Sequence, residues 1–357
     1  MTLRDITFRN RAWLPPMDQY SAFKQDGMPT DWHYQHYVSR ANGGFGLVIT
    51  EATAVSPEGR ISPDDVGLWN DAQQNTWRWI ASGIAAAGAV PGIQLNHAGR
   101  KGSSGDFTVG FNNASVPFEN GGWQTVAPSR VPFGSYAIPN ELSRDEIHGI
   151  VADFRNSAAR AVAAGFKVIE IHAAHGYLIS QFLDPLSNVR TDDYSGSLEN
   201  RMRFLIEIVD AIREVLPESL PLFVRISATD WAQGGWDLDQ TVKVAQVVKR
   251  HGVDLMDVST GGIVPYVSIP VAPNYQVPFA AEVRAQAGIP TTAVGLIDKP
   301  KQAEKILRKG WADAVEIGRA ALREPSWPLH AAYKLGLNRH QAPYPPQYLR
   351  GAYRDEK

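Results

Sequence analysis

Two histidines and a tyrosine crowd the segment Ile171-His172-Ala173-Ala174-His175-Gly176-Tyr177-Leu178, where the strand-like run Gly165-Phe166-Lys167-Val168-Ile169-Glu170 gives out. A straight strand sends His172 and His175 to opposite faces, whereas a helical turn after His172 brings them side by side. Gly176 permits an unusual backbone angle just before Tyr177. Two neutral imidazole N–H donors and a phenol suit a substrate oxygen that gains negative charge while a nearby carbon gains a proton. The same residues also read as two histidines satisfied within a loop, with a tyrosine at its edge. Zinc fits less well, because neither an HExxH spacing nor a cysteine accompanies the pair, and no metal site is expected.

The elements that must position these residues follow a repeating plan. Apolar runs at 13–17, 46–51, 90–95, 166–171, 221–226, 254–258, 290–294 and 314–317 read as strands. Between them, 31–42, 71–88, about 143–164, 198–215, 239–251, 278–287 and 300–309 read as helices. Ser143-Arg144-Asp145-Glu146 is a capping box that opens the third. Short apolar strands alternating with helices imply a parallel sheet buried on both faces. Eight such units predict an α/β chain closed as a (β/α)8 TIM barrel, which takes about 250 residues. The surplus of the 357-residue chain falls in a Gly-, Ser-, Asn- and Pro-rich excursion after strand 3, residues 102–140, and in a C-terminal arm, 338–357. The whole of 1–357 reads as one domain. A doubly wound sheet is the alternative, but strand 1 lacks the G-x-G-x-x-G fingerprint.

Composition narrows the function. The hydrophobic share of 44% allows a large core, and a formal net charge of -2 gives no electrostatic reason to expect nucleic acid. With no cysteine, disulfides and cysteine-ligated iron–sulfur clusters are excluded. The N-terminus has no apolar h-region and no run approaches the length of a membrane span, so a cytoplasmic protein is expected.

In such a barrel the chemistry gathers at the C-terminal ends of the strands. Those ends read Met17-Asp18, Ala52, Gln94 with His97 and Lys101, His172 with His175, Arg225, Ser259-Thr260, Gly295 and Gly318-Arg319. The glycines after strands 7 and 8, with Arg319, mark a place where barrels often bind phosphate. Arg225 needs a counter-charge if buried, from a ligand or from an internal carboxylate.

Read in order, this set resembles the Old Yellow Enzyme family of flavin-dependent ene-reductases, in its bacterial thermophilic-like class. The resemblance rests on Pro15-Pro16-Met17, Glu51-Ala52-Thr53-Ala54-Val55 and Gln94-Leu95-Asn96-His97-Ala98-Gly99-Arg100-Lys101. It continues through the His172 to Tyr177 segment, Asn188 to Arg201, Arg225 and Gly318-Arg319. It implies FMN across the barrel mouth, with Pro16, Met17, Ala52 and Gln94 against the ring, Asp18 at its edge and Arg225 near its N1–C2=O side. Gly295, Gly318 and Arg319 would hold the phosphate. His172 and His175 would bind the carbonyl or nitro oxygen of an activated alkene, hydride would reach its β-carbon from flavin N5, and Tyr177 would protonate the α-carbon. Tyr20 and Lys101 would lie on the substrate side, and NADPH or NADH would reload the flavin. The resemblance also implies a homodimer or dimer of dimers, with Arg350 reaching the neighbouring subunit's site.

The chain departs from that pattern at Asp18, where the class usually carries cysteine. An Asp18 carboxyl would either stay protonated and donate to the flavin or make the flavin harder to reduce. The competing readings are a related dienoyl-CoA or trimethylamine-type flavoenzyme, which needs an iron–sulfur cluster that a chain without cysteine cannot hold, a cofactor-free aldolase or isomerase, and a flavin-binding protein without reductase activity.

Overall fold

Apolar strands covered by helices on the outside and by one another within have no face left for water, and the sheet closes. The computed structural model describes residues 1–107 and 110–353. Among them, eight parallel strands form the barrel: β1 (Ala12–Leu14), β2 (Leu47–Ala54), β3 (Val90–Asn96), β4 (Val168–Ala173), β5 (Leu222–Ser227), β6 (Leu255–Ser259), β7 (Thr291–Ala293) and β8 (Ala314–Glu316). Neighbours around the barrel follow chain order, and β8 closes on β1 through Val315 beside Ala12 and Glu316 beside Trp13.

The intervening helices are α1 (Asp31–Asn42), α2 (Asp71–Ala86), α3 (Arg144–Ala164), α4 (Arg203–Val215), α5 (Leu238–Arg250), α6 (Val277–Ala287), α7 (Pro300–Arg308) and α8 (Trp327–Lys334). At the start of α3 the Glu146 N–H donates to Ser143 Oγ, and the Ser143 N–H donates back to Glu146 Oε2 at 2.7 Å. Gly165 ends the same helix in the left-handed region, φ 99°. Towards the N-terminal end the barrel is filled by Trp13, Leu47, Ile49, Val168, Phe223, Leu255 and Ala314, with Trp13 stacked on Phe223.

Most strand ends shift by one to three residues from expectation, β4 running on through His172 to Ala173, and three larger departures stand out. Strand β1 stops at Leu14, because Pro15 and Pro16 have no N–H to continue the ladder. Pro15 through Asp18 therefore form a loop at the barrel mouth. The predicted helix 198–215 is interrupted at Met202, giving a short Leu198–Arg201 turn before α4. The excursion 102–140 is not without order: Ser104–Asp106 pairs antiparallel with Gly110–Ser115, and Val126–Ala127 pairs with Asn140–Glu141. Residues 108–109 of the excursion and 354–357 of the arm lie outside the described residues.

Strand β2 carries a bulge. Its register against β3 slips between Thr50 and Ala52, which leaves Glu51 as the extra residue. Glu51 accepts from the Tyr37 hydroxyl of α1 at 2.6 Å and from the Gln19 N–H at 2.9 Å. Burial, then the Asp18 charge, holds its carboxyl well above the usual range. No helix among the described residues is long and apolar enough to cross a membrane.

Candidate active site

His172 lies near the end of β4, beside Arg225 of β5 in register, and His175 follows in the turn. That turn is tight: His175 has φ 58° and Gly176 φ 73°. A Cβ on Gly176 would stand 2.2 Å from the Gly262 carbonyl oxygen, and one on Gly262 would stand 2.5 Å from His175 Cα. Only glycine lets these two backbones cross. The Lys101 ammonium fastens the crossing, donating to the carbonyls of His175 at 2.8 Å and Gly262 at 3.2 Å. Burial lowers that ammonium's pKa to about 8.

The crossing turns the two imidazoles toward one another, Nε2 of His172 lying 3.4 Å from Nδ1 of His175. His172 Nδ1 accepts the Ala174 N–H at 3.2 Å, and His175 Nε2 lies 2.8 Å from Ser259 Oγ. Burial pushes both rings well below the usual histidine pKa, and Arg225 and Lys101 push in the same direction. Both are neutral at physiological pH. The Tyr177 ring stands edge-on to His172, centroids 4.9 Å apart, and packs with Ala52, Ile61 and Ala98. Burial and the nearby Asp18 carboxyl raise the Tyr177 phenol well above its ordinary value, so it keeps its proton.

Beneath this pair, inside the barrel, lies a buried ionic layer. Arg225 Nε is 2.9 Å from Asp257 Oδ2, and its Nη2 is 3.6 Å from Glu316 Oε2. Glu170 joins Asp257 and Glu316 in a group of oxygens within 4.8 Å of one another. Such spacing is open to a metal ion, but here a guanidinium already stands among the carboxyls. Gln94 donates to Glu170 Oε1 at 2.8 Å. Burial lifts the Glu170 carboxyl to about 8 and the Glu316 carboxyl well above the ordinary range. Of the three acids, Asp257 stands closest to the Arg225 guanidinium, at 2.9 Å.

On the β1–β2 side, Asp18 accepts the Ala52 N–H, and burial pushes its carboxyl up to about 6 against the pull of Arg225. Tyr20 adopts φ 50° and stands edge-on to Phe107 of the excursion. Burial, then Asp18, raises its phenol.

Pro16, Met17, His175, Arg225, Gly295, Gly318 and Arg319 all line one cavity of about 350 Å³, together with Ser259, Thr260, Tyr275 and Gln276. Gly295 has φ 116°, and a Cβ there would meet Gln276 Nε2 and the Tyr275 ring at 3.0 Å. Among the described residues a Cβ on Gly318 would find only Met17 Sδ and Pro15 Cγ, both at 3.8 Å, so its backbone is open to a ligand. Arg319 is exposed at the first turn after Gly318. Arg350 sits elsewhere, exposed in the turn Pro346–Gly351, on an arm that packs against α8 near Leu329. A larger cavity, about 610 Å³, opens at the other end of the barrel near Phe8, Ala12 and Trp327, with none of the predicted site residues in its wall.

The sequence reading missed Glu170, Asp257 and Glu316, although each is a lone acid inside an apolar strand, a signal open to view. It also missed Gln276, which no strand-end rule reaches because it enters from the loop before α6. Ser259 and Thr260 were noted at the end of β6, but without their hydrogen bonds.

A profile of the NADH:flavin oxidoreductase / NADH oxidase family matches residues 1–338. The chain belongs to that family. It is an oxidoreductase of Old Yellow Enzyme type. An NADPH dehydrogenase of Listeria innocua is 50% identical over 335 residues, covering 94% of this chain and 93% of that one. Among solved structures, the Old Yellow Enzyme homologue from Zymomonas mobilis matches with a TM-score of 0.79 at 27% identity, over 99% of this chain and 98% of that one. A 2-naphthoyl-CoA reductase complex matches with a TM-score of 0.85 at 26% identity, over 96% of this chain. This chain spans only 52% of that reductase, so the family likeness there is one of the barrel.

Proposed function

We propose that this family member is an NAD(P)H-dependent FMN ene-reductase acting on alkenes activated by a carbonyl, imide or nitro group. The observation that carries the reading is the neutral His172–His175 pair beside a protonated Tyr177, above a buried cation. Two N–H groups and a phenol proton are what an enolate-forming reduction requires of the protein.

The cavity fits FMN on its chemistry. In its wall Pro16 and Met17 offer an apolar platform for the ring, and Arg225 offers donors to its polar edge. Ala52, packed against Tyr177, and Gln94, which donates to Glu170, stand outside that wall and would complete the ring's surroundings. Gly295 and Gly318 leave room for the phosphate, and Arg319 can meet it. When bound, FMN supplies the hydride that it has taken from NAD(P)H. The chain's own residues do the rest. His172 and His175 hold the substrate oxygen and stabilise charge as it builds there. Tyr177 holds a proton on its phenol oxygen and releases it to the α-carbon. Asp18 stands at the edge of the flavin ring, Tyr20 lines the substrate side, and Lys101 keeps the His175 turn in place through two carbonyls. The Gly- and Pro-rich excursion covers this face and bounds substrate size. We further propose that the protein works in the cytoplasm as a homodimer or dimer of dimers, with Arg350 completing the neighbouring site.

An anaerobic absorbance titration tests the reading. Flavin bands bleach with NADPH and return with 2-cyclohexenone, and Tyr177→Phe slows the return by roughly 10²–10⁴-fold while leaving the bleaching intact. Failure of the enone to restore the bands in the unaltered protein removes the proposal.

A further inference from the structure

His172 has its tautomer fixed by the backbone. Its Nδ1 accepts the Ala174 N–H at 3.2 Å, so in the neutral ring the proton sits on Nε2, which faces His175 Nδ1 at 3.4 Å. His175 has no such fixed assignment. Its Nε2 meets a hydroxyl, Ser259 Oγ at 2.8 Å, and a hydroxyl both donates and accepts.

With no ligand between the rings, one arrangement satisfies every polar group. The His172 Nε2–H donates to His175 Nδ1, and the His175 Nε2–H donates to Ser259 Oγ. The Ser259 hydroxyl then donates to Gln276 Oε1 at 3.3 Å. In this arrangement His175 offers no donor to a substrate. The opposite assignment would set two N–H groups head to head at 3.4 Å with nothing to accept them.

A substrate oxygen beside both nitrogens inverts the preference. It takes the His172 proton's hydrogen bond and calls for a second donor from His175 Nδ1. His175 Nε2 must then be bare and needs a donor of its own. Ser259 can turn its hydroxyl from Gln276 to His175, because the Thr260 hydroxyl also donates to Gln276 Oε1, at 2.8 Å, and keeps that oxygen satisfied. The ring releases its Nε2 proton to solvent and takes one at Nδ1, so its charge is unchanged.

We propose that Ser259 is a positioning residue that makes His175 a switchable donor, Nε2–H at rest and Nδ1–H when a substrate oxygen lies against the histidine pair. The proposal rests on the ene-reductase reading for the identity of that oxygen, but not for the resting tautomer. Gln276 and Thr260 are the parking site for the Ser259 hydroxyl. The function of the pair is then not a preformed double donor but one completed by ligand.

The test is imidazole ¹H–¹⁵N correlation spectroscopy of the FMN-loaded enzyme labelled at histidine, with His175→Asn assigning the signal. His175 reads as Nε2–H in the free enzyme and Nδ1–H with saturating 2-cyclohexenone. In Ser259→Ala the enone-bound signal no longer settles on Nδ1–H, KM rises and kcat falls, together lowering kcat/KM roughly tenfold or more. Ser259→Thr, which keeps the hydroxyl, restores both. An Nδ1–H signal in the free wild-type enzyme overturns the proposal, as does a Ser259→Ala enzyme with unaltered tautomers and KM. If 2-cyclohexenone neither shifts any histidine signal nor reoxidises the flavin, the ene-reductase reading falls. Acetate then serves as the oxygen ligand, and an His175 that stays Nε2–H with acetate bound overturns the switch as well.

Discussion

Arg225 and Asp257 are register partners on β5 and β6, their side chains meeting 2.9 Å apart inside the barrel with Asp257 wholly buried. The pair sets a fixed cation inside the barrel, and burial raises the neighbouring Glu170 and Glu316 carboxyls, which favours their protonated forms. Two substitutions separate these roles. Asp257→Asn takes from Arg225 the carboxyl nearest to it and lowers stability by about 3–5 kcal/mol in denaturant titration. Glu316→Gln replaces a protonated acid by a neutral group of like shape and stays within about 1 kcal/mol. Equal losses from the two would show that Glu316 is ionised.

Asp18 gives a pH dependence whose sign is fixed. Its folded pKa, about 6, lies above the ordinary 3.8, so the folded chain binds the proton more tightly than the unfolded one. Stability from this group is greatest once it is protonated and is lost as pH rises from about 4 through 6. Asp18→Asn therefore raises Tm more at pH 8 than at pH 5. The same ionised carboxyl opposes negative charge on a reduced flavin, so the midpoint potential of Asp18→Asn exceeds that of the wild type at pH 8, and the gap narrows at pH 5. A gap that does not change with pH would place Asp18 too far from the ring to matter.

Lys101 acts on the turn rather than on the solvent. Removing its ammonium in Lys101→Met frees two buried carbonyls at a cost of about 1.5–3 kcal/mol. Hydrogen exchange should quicken in residues 174–178 and 260–264 while the distant β7 and β8 amides keep their protection. Uniform exchange across the barrel would mean that Lys101 supports the whole fold instead.

Arg319 is exposed beside the open backbone of Gly318. Arg319→Ala should weaken FMN binding roughly tenfold or more, read from flavin fluorescence on dilution, and spare riboflavin binding. An equal loss for riboflavin would put Arg319 against the ring instead of the phosphate.

Much of this fold was legible because short, mostly apolar runs between turn signals, alternating eight times with helical segments, fit a buried parallel sheet. Boundaries failed where local chemistry intervened, as at Pro15-Pro16. The excursion's paired strands were invisible because Ser104–Asp106 and Gly110–Ser115 carry no alternation of apolar and polar residues. At the site, strand ends located His172, Arg225 and Gly318. The link from Ser259 to His175 was not legible, since it joins residues 84 positions apart across a backbone crossing that only the closed barrel creates.

The bulge at Glu51 has a consequence for anyone who would re-engineer the mouth. By accepting from Tyr37 of α1 and from the Gln19 N–H, Glu51 rivets the loop bearing Met17 and Asp18 to the outer shell of the barrel. That loop is therefore not a free cassette. A transplant of residues 15–20 into another scaffold would arrive without its anchor unless α1 and the bulged strand travelled with it, and a library built on the loop alone would sample shapes the native enzyme never holds.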